Sequence, residues 1–327
     1  MAFVYTLRLE VVRGLKISGR CLELAERNQN REMLPAIHYL LALGTHLSGD
    51  LLQAASRFSE LLKRLRSAHQ LGVAELLPAN PWATIPSNLA LVQQQLGRPD
   101  EALRLSNEAL SRARQIKHSF TLALVMQQAA SLRLSRREPE AVRELAEAVV
   151  ALAEEHGFRE LLARGRALRG WAMTELGQTE QGVTELKAAD VFHRMLVPEV
   201  YARTGRADLA LTMLDEQLAS VERSGARGQE PDLYRRKGEA TLGRDPSAAA
   251  EAEACFRKAI EIAKAQSAKW SELRATTSLA RLLRSTGRRD EARAKLAEVY
   301  NWFTEGSDTP DLKDAKVLLD ELSAGSP

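Results

Sequence analysis

The chain has 327 residues, 45% of them hydrophobic and only 5% aromatic, and its 46 basic and 43 acidic side chains leave a formal net charge of +3. So close a balance argues against a nucleic-acid coat, and two cysteines far apart, Cys21 and Cys255, exclude a disulfide framework or a zinc site of cysteine pairs. Abundant Ala, Leu, Arg and Glu favour helices over sheets, so an all-α fold is expected.

Phe3 to Asn28 has helical periodicity broken by Gly14 and Gly19, and residues 1–30 are expected to form a degenerate helix pair that caps one end of the fold. Met1 to Leu15 has scattered charges at Arg8, Glu10 and Arg13, which does not suit a secretory leader. No stretch reaches the roughly 18 uninterrupted apolar residues of a membrane span, so a reducing cytoplasm is the expected location.

Arg31 to Leu47 predicts a helix, Gly49 and Asp50 a turn, and Ala54, Phe58 and Leu61 then stand four and three apart. That small, large, small spacing returns at Ala102, Ser106 and Ala109; at Ala141, Leu145 and Ala148; and at Gly182, Leu186 and Ala189. It returns again at Ala210 and Leu214, with Gln217 in the last place, at Ala252, Phe256 and Ala259, and at Ala292, Leu296 and Val299. Small side chains admit a partner helix closely and the large one fills the gap, so each set marks the second helix of a pair. Gly97 and Gly287 stand five residues before their sets, and Arg136 is expected where the turn glycine of the third set would fall.

Two interruptions break the array. Pro78, Pro81 and Pro86 predict an irregular connection from Gly72 to Pro86, because proline lacks a backbone donor and fixes φ. The anchors Ala102, Ala141 and Gly182 are 39 and 41 residues apart, but Ala210 follows Gly182 by only 28. The first helix there is expected to be shortened to Pro198 through Thr204, or the preceding helix to run on through Phe192 and Met195, with a packing defect or a bend in the superhelix between Ala189 and Gly205. Repeats are thus expected over 31–190 and 205–306, with a short junction at 191–204. A last helix, Pro310 to Leu322, succeeds the turn and N-cap sequence Asp308-Thr309 and presents Leu312, Ala315, Leu318 and Leu319 as a cap over the end of the stack.

These features resemble tetratricopeptide repeats. Ala252-Glu253-Ala254-Cys255-Phe256-Arg257-Lys258-Ala259, Ser278-Leu279-Ala280-Arg281-Leu282 and Tyr300-Asn301-Trp302-Phe303-Thr304-Glu305-Gly306 with Asp311-Leu312-Lys313 resemble the C-terminal tetratricopeptide region of bacterial adenylate/guanylate cyclase proteins. In those proteins a class III cyclase domain and an AAA-type ATPase domain precede the array. The resemblance extends over roughly residues 30 to 322 and implies a right-handed helical-repeat superhelix of about seven helix pairs plus a capping helix. No Gly-Lys-Ser or Gly-Lys-Thr phosphate loop occurs in this chain, so only the interaction array carries over, without the catalytic activity.

The resemblance also implies a concave groove, lined by residues 18, 15, 14, 11, 8 and 7 positions before each first small residue. From Ala102 this selects Thr84, Ser87, Asn88, Leu91, Gln94 and Gln95; from Ala141, Met126, Gln127 and Arg133; from Gly182, Arg164, Trp171 and Glu175. From Ala292 it selects Arg274, Thr277, Ser278, Arg281, Arg284 and Ser285. The expected ligand is a peptide or protein partner bearing carboxylates, with Asn88 and Gln95 bonding its backbone and the arginines pairing its acids. Alternatively the arginines are solvated or pair with Glu272, Asp290 or Glu291, and Trp171 belongs to the core.

The six histidines, His38, His46, His69, His118, His156 and His193, are dispersed and form no metal-ligand pattern, and no nucleophile elbow is present. No cofactor or catalysis is therefore expected. Three other readings stay open: a ligand-sensing regulatory module, nucleic-acid contact through Arg112-Arg114-Lys117 or Arg284-Arg288-Arg289, and homodimerisation through an exposed terminal repeat.

Overall fold

The computed structural model describes residues 10–68, 77–189 and 196–324, and among these every regular element is helical. Helix α1 (Val11–Arg27) precedes seven helix–turn–helix pairs, in each of which the first helix is called A and the second B. The first four pairs are α2 (Leu34–Ser48) with α3 (Leu51–Ala68), α4 (Pro81–Gln95) with α5 (Pro99–Ile116), α6 (Ser119–Ser135) with α7 (Pro139–His156), and α8 (Arg159–Glu175) with α9 (Thr179–Ala188). The last three are α10 (Val197–Arg203) with α11 (Ala207–Ser224), α12 (Glu230–Arg244) with α13 (Ala249–Ala265), and α14 (Lys269–Ser285) with α15 (Arg289–Tyr300). Helix α16 (Pro310–Ser323) is the last element among the described residues and packs in the place of an A helix.

The expected anchors Ala54 and Phe58, Ala252 and Phe256, and Ala292 and Leu296 are all buried in the helix interfaces. Each large side chain placed there contributes roughly 1.5–3 kcal/mol by leaving water. The third pair departs from expectation by one residue: Val142, Ala146 and Val149 are buried, not Ala141, Leu145 and Ala148. The cause is the turn. In five other pairs a glycine with φ between +76° and +88° stands five residues before the anchor, and in the third pair Arg137, with φ +57°, takes that left-handed place. Anchors at 102, 142 and 182 are then evenly spaced.

Two other expectations change. Helix α1 runs without a break through Gly14 and Gly19, with Leu15 packed against Gly44 of α2; residues 1–9 lie outside the described residues. The expected connection ends early, because α4 begins at Pro81 and contains Pro86. Asn80 caps this helix by accepting from the Trp82 amide at 2.9 Å. Pro86 cannot donate to the Trp82 carbonyl four residues back. Arg112 of α5 replaces that donor, with its Nη1 3.0 Å from the carbonyl and its guanidinium 4.2 Å from the centre of the Trp82 ring.

The fifth pair has a seven-residue A helix, α10, with Pro198 in its first turn. Helix α9 ends at Ala188, and the alternative in which it continues through Phe192 and Met195 falls on residues outside the described ones, as does part of the expected packing defect.

The array turns tightly enough to meet itself. Turns inside the first three pairs abut connections between the last three and α16. A methyl group on Gly97 would lie 2.8 Å from the Trp302 ring and 2.9 Å from Lys269, and one on Gly306 would overlap the Pro99 ring. The Gly306 amide donates to Asp100 at 3.2 Å. Arg137 Nη1 reaches Asp314 at 2.7 Å and Asp311 at 3.6 Å, and Arg274 donates to the Ser135 carbonyl at 2.5 Å. This seam closes the superhelix on itself.

Candidate functional site

The A helices form the inner wall. Toward the C-terminal half, consecutive A helices carry polar residues at equivalent places, and these bond one another. Ser271 Oγ donates to Asp232 at 2.9 Å and Ser278 Oγ to Glu239 at 2.7 Å, each pair 39 residues apart. Arg235 bridges Asp232 at 3.2 Å and Glu239 at 2.9 Å, while Arg236 lies 3.4 Å from Glu199. Arg203 links Glu199 at 3.1 Å to Glu175, and Arg274 holds Asp311 at 2.8 Å.

Burial alone would raise the Asp232 carboxyl, but Arg235, Arg274, Arg236 and the Ser271 hydroxyl outweigh it and hold it at about 2. Glu199 is lowered in the same way: against its desolvation act Arg236, Arg235, Arg203 and Arg274. Burial works against the Arg235 cation too, yet Glu239, Asp232 and Glu199 raise its pKa. The wall is therefore a neutralised lattice of paired charges. Sequence reasoning missed Asp232, Arg235, Glu239 and Glu199. The available signal was the echo of Arg274 in Arg235, 39 residues earlier, which is obscured because Arg235 stands 17 residues before its anchor Ala252 whereas Arg274 stands 18 before Ala292.

The amide-rich end is closed. Asn88 is 3% exposed, Gln94 2% and Gln127 8%. Asn88 Nδ2 donates to the Thr84 carbonyl at 2.7 Å and to Tyr39 Oη at 3.2 Å, and its Oδ1 accepts from Gln128 at 3.0 Å. Gln95 Oε1 lies 3.0 Å from His46 Nε2. The backbone-bonding role expected of Asn88 and Gln95 is thus taken by the chain itself, and the unexpected member of this set, Gln128, was hidden by the one-residue shift at the third pair. Gln127 bonds Ser131 at 2.9 Å and Arg133 pairs with Glu138 at 2.6 Å.

Trp171, 3% exposed, packs among Ala130, Val142 and Leu168 and so belongs to the core rather than to a stacking platform. Arg164 is half-buried, and desolvation lowers its pKa. The arginines of α14 pair with α16, not with Glu272, Asp290 or Glu291: Arg274 with Asp311, Arg281 with Asp314 at 3.7 Å, and Arg284 with Glu321. Arg281 remains the most open of the three, its side chain 51% exposed.

Two hollows mark the C-terminal half. One of about 640 Å³ lies between α12 and α14, lined by Leu242, Phe256, Leu282 and Arg281 among others. The other, about 230 Å³, lies between α13 and α15, and its cations Arg257, Lys264 and Lys295 each have a carboxylate partner. Among the described residues no group of His, Cys, Asp and Glu is arranged to hold a metal ion, and no helix is long and apolar enough to cross a membrane. His69 and His193 lie outside the described residues.

No protein-family model and no curated protein matches the chain. Solved structures do. A Rap protein complexed with Competence and Sporulation Factor is 12% identical, with a TM-score of 0.51 over 98% of this chain and 85% of that one. The chain has a tetratricopeptide-like superhelical fold. Two further structures are a tetratricopeptide repeat protein from Parabacteroides merdae and aspartyl phosphate phosphatase F from Bacillus subtilis. The former is 15% identical, with a TM-score of 0.47, over 86% of this chain and 96% of that one. The latter is 13% identical, with a TM-score of 0.49, over 86% of this chain and 73% of that one. The likeness is one of fold.

Proposed function

We propose that the chain is a non-catalytic scaffold holding a peptide or protein partner along the inner wall of α12, α14 and α16, comparable to the interaction arm of a cyclase/ATPase signalling protein. The carrying observation is the ladder of polar side chains at equivalent places on consecutive A helices, Asp232 with Ser271 and Glu239 with Ser278. Packed helices repeat at roughly 8–10 Å, a spacing that suits an extended or helical segment better than a single small molecule. The Rap protein of similar fold, solved in a complex with Competence and Sporulation Factor, agrees with this reading.

The paired arginines make the wall neutral overall, so the partner's acidity counts only where a guanidinium is spare. Nucleic-acid contact loses support for the same reason. Arg112 is committed to Glu108 and Trp82, Arg288 to Glu253 and Glu291, and Arg289 caps the carbonyl end of α16 at Leu322. A cytoplasmic location belongs to this same reading.

The test is affinity capture from extract with chemical cross-linking at moderate salt, identifying protein and nucleic acid together. A protein partner cross-linked to α12, α14 or α16, and reduced on Arg281→Glu with Arg284→Glu, is the expected result. Nucleic acid alone, released steeply by added salt, overturns the reading.

A further inference from the structure

The hollow between α12 and α14 lies beside the turn of the sixth pair, which lacks the left-handed glycine of its neighbours, Gly205 and Gly287. Its connection leaves α12 in extended backbone at Asp245, φ −142°, and Asp245 Oδ1 accepts from the Ser247 amide at 2.9 Å and the Ser247 hydroxyl at 2.7 Å. Pro246 and Ala249, from this connection and the start of α13, line a space of about 640 Å³. Leu242, Phe256 and Leu282 form its apolar lining. Phe256 reaches it by lying flush on Gly238, where a methyl group would meet the ring at 2.6 Å. Leu242 stands 39 residues before Arg281, so α12 offers a hydrocarbon at the place where α14 offers a guanidinium.

Glu239 and Arg281 are the charged residues around this space. Glu239 is satisfied, with both of its oxygens 2.9 Å from Arg235 Nη1 and one of them also accepting from Ser278 at 2.7 Å. Arg281 is not. Its carboxylate neighbour, Asp314, is 3.7 Å away, and that carboxylate is already held by Arg137 at 2.7 Å. The hollow thus combines an apolar floor with one guanidinium that retains donors for an incoming anion, and a charge-assisted bond in such a setting is about twice as strong as a neutral one.

We infer that this hollow binds a segment of a partner protein in which an apolar side chain stands beside a carboxylate. The apolar group rests on Leu242, with the buried Leu282 and Phe256 forming the floor behind it, and the carboxylate takes Arg281. The inference rests on the scaffold reading and gives it a place and a ligand chemistry.

The probe is 3-phenylpropanoate, with 3-phenylpropanamide as its uncharged match, titrated into the full chain carrying ¹³C-labelled leucine methyl groups. Saturable shifts at Leu242 and Leu282, about tenfold weaker for the amide and absent in Arg281→Glu, are expected. Ser285→Trp, which fills the rim from an exposed position on α14, removes the response with helical circular dichroism unchanged. Equal affinity for acid and amide, or an unaltered response in Arg281→Glu, overturns the assigned chemistry. Shifts confined to leucines elsewhere, or none at millimolar probe, overturn the site. Partner capture is read independently, so a failed titration leaves the scaffold reading standing, and failed capture beside a positive titration removes the scaffold while keeping the pocket.

Discussion

Arg137 and Asp314 lie 177 residues apart in sequence, yet Arg137 Nη1 is 2.7 Å from Asp314 Oδ2 across the superhelical seam. Both side chains are partly exposed, so the pair itself is worth at most about 1 kcal/mol. Arg137→Glu replaces an attraction by repulsion from Asp311 and Asp314 together, and an apparent loss of about 1–2 kcal/mol is expected in thermal or urea unfolding. Adding Asp314→Arg restores part of it. A double variant as unstable as the sum of its parts means that the two residues do not interact across the seam in solution.

Glycine substitutions separate seam packing from turn geometry. Gly306 and Gly177 share left-handed backbone, φ +76° and +85°, but Gly306 abuts Pro99 while Gly177 has open space around it. Alanine at either position costs roughly 1–2 kcal/mol of backbone strain. Gly306→Ala additionally drives a methyl group into the Pro99 ring, for about 1–3 kcal/mol more. Equal midpoints for the two variants in denaturant would show that the seam is loose.

Removing Arg112 tests its replacement of the Pro86 donor. Arg112→Ala deprives the Trp82 carbonyl of its partner and the indole of its cation, and a loss of roughly 2–3 kcal/mol is expected. In that background Pro86→Ala supplies a backbone N–H to the same carbonyl and recovers about 1 kcal/mol, whereas Pro86→Ala alone changes little. Strict additivity of the two changes would contradict the account.

Acid acts through the inner wall. Asp232 titrates at about 2 in the folded chain, below the ordinary aspartate value, so its contribution is complete above the unfolded pKa and disappears as pH falls from about 4 to about 2. At 1.36 kcal/mol per unit, it amounts to about 2 kcal/mol at neutral pH. Asp232→Asn should therefore unfold more readily at pH 6 but show a shallower decline between pH 4 and pH 2. Parallel curves for the two proteins would remove Asp232 from the acid response.

Much of the array is legible locally because burial repeats with the helix period: Ala54, Gly182 and Ala292 announce their helices without knowledge of any neighbour. The third pair misleads by one residue because an arginine occupies a conformation that glycine ordinarily signals. Pro86 misleads because the donor that rescues its helix comes from Arg112, in another helix. Of the residues expected to line a groove, Arg281 keeps an open guanidinium, whereas Asn88 and Gln94 are buried in the wall and Trp171 in the core. Closure depends on contacts between turns far apart in sequence, and no local pattern encodes the curvature that brings them together.

The seam also alters how the chain reaches its fold. An ordinary solenoid is nearly one-dimensional, and its units can form and fray almost independently from either end. Here the contact between Gly306 and Asp100 spans 206 residues, so five intervening pairs must be aligned before it is gained. Loop-closure entropy of that kind raises contact order and slows folding relative to an open array of equal length. In return the outer pairs do not behave as loose ends: opening the last pair exposes the second, which favours one concerted transition over progressive fraying.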